Sequence, residues 1–176
     1  MHKSLDGPDF AAEWALLRAC RTRLRTYKTS GRPAQDHQVV EKFETKIAVL
    51  LRDDLAVWQR LNVTAFLVSG IAGTHPEIIG EPYEDADGTS YLPMFRQPVM
   101  VFEGSKEFMT TAHERALGRG IEHSVFTQDL FATGNDHDNR AAVRAVPTAE
   151  LDLVGIAVYG PKNAVDKTLK GATKHH

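Results

Sequence analysis

Thr45-Lys-Ile-Ala-Val-Leu-Leu-Arg-Asp-Asp-Leu-Ala-Val-Trp-Gln-Arg-Leu-Asn-Val-Thr-Ala-Phe-Leu-Val-Ser-Gly-Ile-Ala-Gly73 holds two apolar segments parted by a short charged turn. The first, residues 47–51, is unbroken and stops at Arg52, Asp53 and Asp54. A strand covered on both faces reads as such a run, because neither face meets water. The second, over 59–72, places Leu61, Ala65, Leu67, Val68 and Ile71 at helical steps. Together they predict a buried strand, a charged turn and a helix packed back on the strand. In such a unit the end of the strand and the start of the helix make a natural ligand site.

Moving toward the C-terminus, Gly73 and Pro76 end the first helix. Asp87-Gly88 lies between two extended stretches in 78–95, a hairpin signal because Gly takes a positive φ at little cost. Asp85 and Asp87 there suggest calcium, but the calcium-loop pattern would put Tyr83 and Met94 at its first and twelfth positions, so a turn is the reading. Strands are expected at 46–51, 99–102, 121–126 and 151–159. Helices are expected at 106–119, capped by Ser105; at 138–146, capped by Asn135 or Asp136; and at 163–170. This order predicts a three-layer α/β/α sandwich with a mixed four-stranded core sheet, the hairpin being an insertion or an antiparallel edge.

Toward the N-terminus the chemistry changes. Residues 1–43 carry eight Lys or Arg and five Asp or Glu, net +3; residues 44–176 carry thirteen and eighteen, net −5. We therefore divide the chain into an N-terminal segment, 1–43, and an α/β domain, 44–176. Phe10, Trp14, Leu17, Leu24 and Tyr27 give 9–28 an amphipathic helical pattern with a basic second half, followed by a turn-rich linker at 29–36. Packing on the domain or on a second subunit is the favoured reading of that helix. A nucleic-acid arm or a membrane-surface helix are the functional ones. No apolar stretch nears the roughly 20 residues of a membrane span, and residues 1–8 lack an apolar signal core. Cys20 is the one cysteine, so neither a disulfide framework nor a cysteine zinc site is expected. A cytoplasmic location follows.

Several chemistries lack their motifs. The chain has no phosphate-loop pattern, no Gly-x-Gly-x-x-Gly after the first strand and no Gly-x-Ser-x-Gly elbow. No cofactor or metal is expected; Asp136-His137-Asp138 reads as the start of a helix, and His113 and His123 as surface or strand-edge histidines. What remains is positional. The ends of the first and third strands should bring Arg52, Asp53, Asp54, Trp58 and Asn62 toward Thr127, Gln128 and Asp129. An Arg52–Asp54 pair that only fixes the turn, with Trp58 as packing, is the alternative.

Residues 46–55 resemble the first strand and turn of the type two peptidyl-tRNA hydrolases, an apolar strand ending in Arg-x-Asp-Leu. Gly160-Pro161, Val165-Asp166-Lys167 and Gly171 resemble that fold's closing segment. A closer likeness, over about 44–171, is to an uncharacterised bacterial family, the domain of unknown function two thousand. It shares the Arg-Asp-Asp-Leu turn, Ile-Gly-Glu-Pro-Tyr (79–83), Asp-Gly-Thr (87–89) and Leu-Pro-Met-Phe-Arg-Gln-Pro (92–98). Phe-Ala-Thr-Gly (131–134) and Gly-Pro-Lys-Asn-Ala-Val-Asp-Lys (160–167) are shared as well.

The resemblance implies the hydrolase fold, the same site location and a homodimer. The hydrolases' second lysine after the turn falls here on Leu61 or Asn62, and their acid after the third strand falls one residue away, on Asp129. Two functions follow from this. One is binding of a small polar ligand at the strand-one/helix-one site. The other is cleavage of an amide or ester bond, with Asp129 or Asp53 as base and Thr127 or Asn62 orienting the carbonyl.

Overall fold

The computed structural model describes residues 42–175. The expected helix at 9–28 and its linker lie outside them. Strand β1, Thr45–Arg52, is the centre of the sheet. It pairs in parallel with β4, Val99–Gly104, from Ile47 opposite Val99 to Arg52 opposite Gly104. On its other side it pairs antiparallel with β6, Leu153–Pro161, from Thr45 opposite Pro161 to Leu51 opposite Gly155. Outside β6 lies β5, Glu122–Thr127, antiparallel to it with an irregularity at Phe126/Thr127. Outside β4 lies the two-residue β7, Thr173–Lys174. The order is β5-β6-β1-β4-β7.

Helices cover both faces, which is why the apolar run of β1 has no polar alternation. Ile47, Val49 and Leu51 face α1, Val57–Thr74, through Val63, Leu67 and Ile71. Ala48 and Leu50 face the opposite layer, built from α2, Lys106–Gly118, and α4, Lys162–Thr168, through Met109, Ala112, Ala116 and Val165. The helix α3, Asp136–Arg144, is capped by the Asn135 carboxamide, which accepts from the Asp138 amide at 3.0 Å. Ser105 caps α2 as expected, accepting from the Phe108 amide at 3.3 Å. The three-layer α/β/α arrangement is as the sequence predicts. Among the described residues no helix is long and apolar enough to cross a membrane.

Three details differ. The sheet has five strands, since β7 adds an edge beside β4; two residues are too few to carry a period-two signal. The hairpin β2, Tyr83–Glu84, and β3, Ser90–Tyr91, forms a separate exposed pair and not an edge of the main sheet. Its turn has Gly88 at φ +83, and the Asp85 carboxylate accepts from the Asp87 and Thr89 amides and from the Tyr91 hydroxyl. Finally, α1 runs through Gly73 to Thr74, and His75 is its cap.

The separation of α1 from the sheet is set at Gly155. A Cβ there would lie 2.5 Å from Val63 Cγ1 and 2.9 Å from Leu67 Cδ1. The helix seats directly on β6 because no side chain stands between them.

Candidate functional site

β1, β4 and β5 run in one direction and β6 and β7 in the other, so the domain has two chemically distinct ends. At the carboxyl end of β1 stands Arg52, 8% exposed. Its Nε donates to Asp54 at 2.7 Å, Nη1 to Asp152 at 2.7 Å and Nη2 to Gln128 at 3.0 Å. Asp152, which no sequence motif marks, opens β6 and also pairs with Lys106 at 2.9 Å. The guanidinium thus has all three nitrogens committed within the protein. Arg60 closes the turn in the same way: Nη2 donates to the Asp53 carbonyl and Nη1 to Glu103 at 3.0 Å.

Asp53 lines a hollow of about 290 Å³ with Glu103, Ser105 and Thr173. Trp58 is exposed on the first turn of α1, with its ring edge-on to Phe131 at 5.8 Å. Asn62 is exposed on the same helix, and Asp129 is exposed on the short helical turn after β5. Thr127 is 1% exposed, and its hydroxyl has no hydrogen-bond partner. Arg52, Asp54 and Gln128 are therefore brought together; Thr127, buried, and Asp129, exposed, flank Gln128 in the chain, and Asn62 is exposed on α1.

The opposite end carries a cleft of about 560 Å³ along edge strand β5, between the last turn of α1 and the end of α2. His75 forms part of its wall. Its Nδ1 lies 2.9 Å from Glu77, and its Nε2 hydrogen-bonds Glu122. Two carboxylates on two ring nitrogens favour the imidazolium, since only that form donates from both. Burial acts to lower the His75 pKa, but the hydrogen bonds and charges of Glu77 and Glu122 outweigh it and raise the value above 6.5. The Glu77 carboxyl is held below its ordinary range by a backbone hydrogen bond and by His75. The Tyr159 ring packs against His75 at 4.4 Å between centroids.

One smaller hollow adjoins the cleft, and a second adjoins that one. One, of about 410 Å³, shares His75 and Glu122 with it and extends to Thr45 and Tyr159. The other, of about 190 Å³, contains Thr45, Glu77, Gln97 and Tyr159. Deeper in, His113 of α2 meets His123 of β5, ring centroids 5.3 Å apart. His113 is buried, not on the surface as expected from sequence; burial and then the His123 charge lower its pKa. Among the described residues no cluster of His, Cys, Asp and Glu is arranged to hold a metal ion.

The sequence pattern of a family of proteins of unknown function, DUF2000, matches residues 45–176. The chain belongs to this family. A solved structure of another protein of unknown function, Atu0240 from Agrobacterium tumefaciens strain C58, is 47% identical. It superposes with a TM-score of 0.75, over 77% of this chain and 100% of that one. No curated protein matches the sequence. The DUF2000 match covers both ends of the sheet, so it does not choose between them.

In this DUF2000 chain the cleft residues escaped sequence reasoning. His75, Pro76 and Glu77 follow a helix directly, a local signal that a capping histidine has an acid at hand. Glu122 lies 47 residues further on and Tyr159 on another strand, so their meeting with His75 is invisible before folding.

Proposed function

We propose that this protein binds a small polar molecule in the cleft beside His75. The observation that carries this is a cleft of about 560 Å³ with His75 clamped by Glu77 and Glu122 on its wall. Ligand pockets typically measure roughly 300–1,000 Å³ and combine apolar walls with a few fixed polar groups. Ile71, Leu117 and Ile121 supply the first, and His75, Glu122 and Ser124 the second. The strand-one/helix-one turn is the weaker candidate, because a ligand there would have to compete with Asp54, Asp152 and Gln128 for Arg52.

The test is a thermal-shift screen of a metabolite panel, followed by Glu122→Gln. A stabilising ligand whose effect is lost in that variant supports the cleft. A panel with no stabilising member, or a ligand indifferent to Glu122→Gln, counts against it. Cleavage of an amide or ester bond by Asn62, Thr127 and Asp129 has less support, since the Thr127 hydroxyl is buried and Asn62 lies out on α1. Peptidyl-tRNA or N-acyl amino acid turnover abolished by Asp129→Ala would reverse that preference.

We read the protein as a cytoplasmic homodimer. The exposed apolar stripe of Val57, Trp58 and Leu61 on α1 is the surface a second copy would cover. Leu61→Asp should then lower the molar mass seen by sedimentation.

A further inference from the structure

Five polar side chains line the cleft of about 560 Å³: Thr74, His75, Glu122, His123 and Ser124. Four of them carry N–H or O–H groups, and each gives its hydrogen to an acceptor within the protein. The Thr74 hydroxyl donates to the Gly70 carbonyl at 2.9 Å, and the Ser124 hydroxyl to the Leu67 carbonyl at 2.8 Å. His123 Nδ1 stands 2.7 Å from the Ile121 carbonyl. A carbonyl only accepts, so Nδ1 carries the proton and Nε2 of the neutral ring is an acceptor. Both His75 nitrogens donate to carboxylates, those of Glu77 and Glu122. The side-chain donors are thus spent, and acceptors are left over. Glu122, the fifth, is exposed and gives only Oε2 to His75; its Oε1 has no hydrogen-bond partner among the described residues.

From this we infer that the cleft takes a primary ammonium group carried on an apolar body, with the Glu122 carboxylate as its anchor. The inference rests on the cleft being the binding site and adds the class of ligand. A carboxylate or phosphate is held by N–H and O–H donors, and the side chains here have none to give. An ammonium has three donors and no acceptor, which is the complement of what remains. Charge points the same way, since Glu77 and Glu122 outnumber the His75 imidazolium two to one. Arg119 lines the adjoining hollow and not the cleft. The backbone of the edge strand β5 turns an N–H and a C=O outward together, so it favours neither sign. Ile71, Leu117 and Ile121 supply the wall for the apolar body.

The test compares three probes of one size: benzylamine (cation), benzyl alcohol (neutral) and benzoate (anion). Nitrogen–proton correlation spectra of the full chain follow them in slightly alkaline buffer, where an ordinary imidazole is neutral and the amine still charged. Benzylamine should move the backbone signals of Gly70, Thr74 and Glu122 saturably. Benzyl alcohol should bind about fivefold more weakly, the weight of a solvent-exposed ion pair, and benzoate should leave the signals unmoved. Glu122→Gln should weaken benzylamine about fivefold and leave benzyl alcohol as it was. That change also touches His75, so Thr74→Lys is the second variant. It places a cation at the exposed end of α1 without altering the clamp, and it should weaken benzylamine at least as much. Melting temperatures check the fold of both variants. The inference is overturned if benzoate or benzyl alcohol binds as tightly as benzylamine, if benzylamine is indifferent to either variant, or if benzylamine leaves the cleft signals unmoved. The cleft reading itself falls only if all three probes leave them unmoved.

Discussion

The two ends of β1 solve the same problem in opposite ways. Both gather buried or half-buried charge where strands stop. At the carboxyl end, Arg52 commits each of its three guanidinium nitrogens, to Asp54, Asp152 and Gln128, and Arg60 ties Asp53 to Glu103. At the amino end, His75 is held as firmly by Glu77 and Glu122, but its ring forms a wall of open space. Each end also keeps one buried polar atom without a partner, Thr127 Oγ1 and Gln97 Nε2. A network whose hydrogen bonds are all internal fixes a turn.

The largest effect should come from the helix seat that both ends share. Gly155→Val forces a side chain into Val63 and Leu67, and we expect a loss of about 3 kcal/mol in denaturant unfolding. A loss under about 1 kcal/mol would mean that α1 can lift without disturbing either end. Next is Arg52→Met, which leaves Asp54 unpaired and Asp152 with Lys106 alone. Both carboxylates reach water, so the cost should be roughly 2 kcal/mol, below that of breaking a fully buried pair. Binding in the His75 cleft should be unchanged, and its loss would break the separation of the two ends.

The pH dependence is smaller and has two opposed parts. His75 binds its proton more tightly when folded, so its contribution is complete below about pH 6.5 and fades as pH rises through the higher folded value. His113 is shifted the other way; its contribution is complete above about pH 6.5 and fades as pH falls through the lower folded value. Melting temperatures should therefore fall less on the alkaline side in His75→Gln and less on the acid side in His113→Gln. Parallel curves for wild type and both variants would remove the charge asymmetry from the comparison. The smallest effect should be Thr127→Val, which replaces an unpartnered hydroxyl by a methyl of the same shape. Stability should stay level or rise by under about 1 kcal/mol. A clear loss would mean that the hydroxyl has a partner after all.

Much of the fold was legible because its signals are local. The run at 47–51 announces a strand covered on both faces, Ser105 and Asn135 announce helix starts, and Asp87-Gly88 announces a turn. The four-residue linkage around Arg52 was half legible: Asp54 is two residues away and Gln128 follows a predicted strand, but Asp152 carries no motif. β7 was illegible, being two residues whose only strand-like property is the neighbour they pair with.

By itself, then, the sequence determined the layers, the order of elements, the membership of a family and the place where β1 stops. Each depends on contacts between residues near in the chain or on repeated apolar spacing. Only the tertiary structure decided which partners the charged side chains at each end of the sheet find. That outcome depends on pairings such as His75 with Glu122 and Gln97 with Thr45, 47 and 52 residues apart, and on whether the last hydrogen bond of a buried group is made or left over.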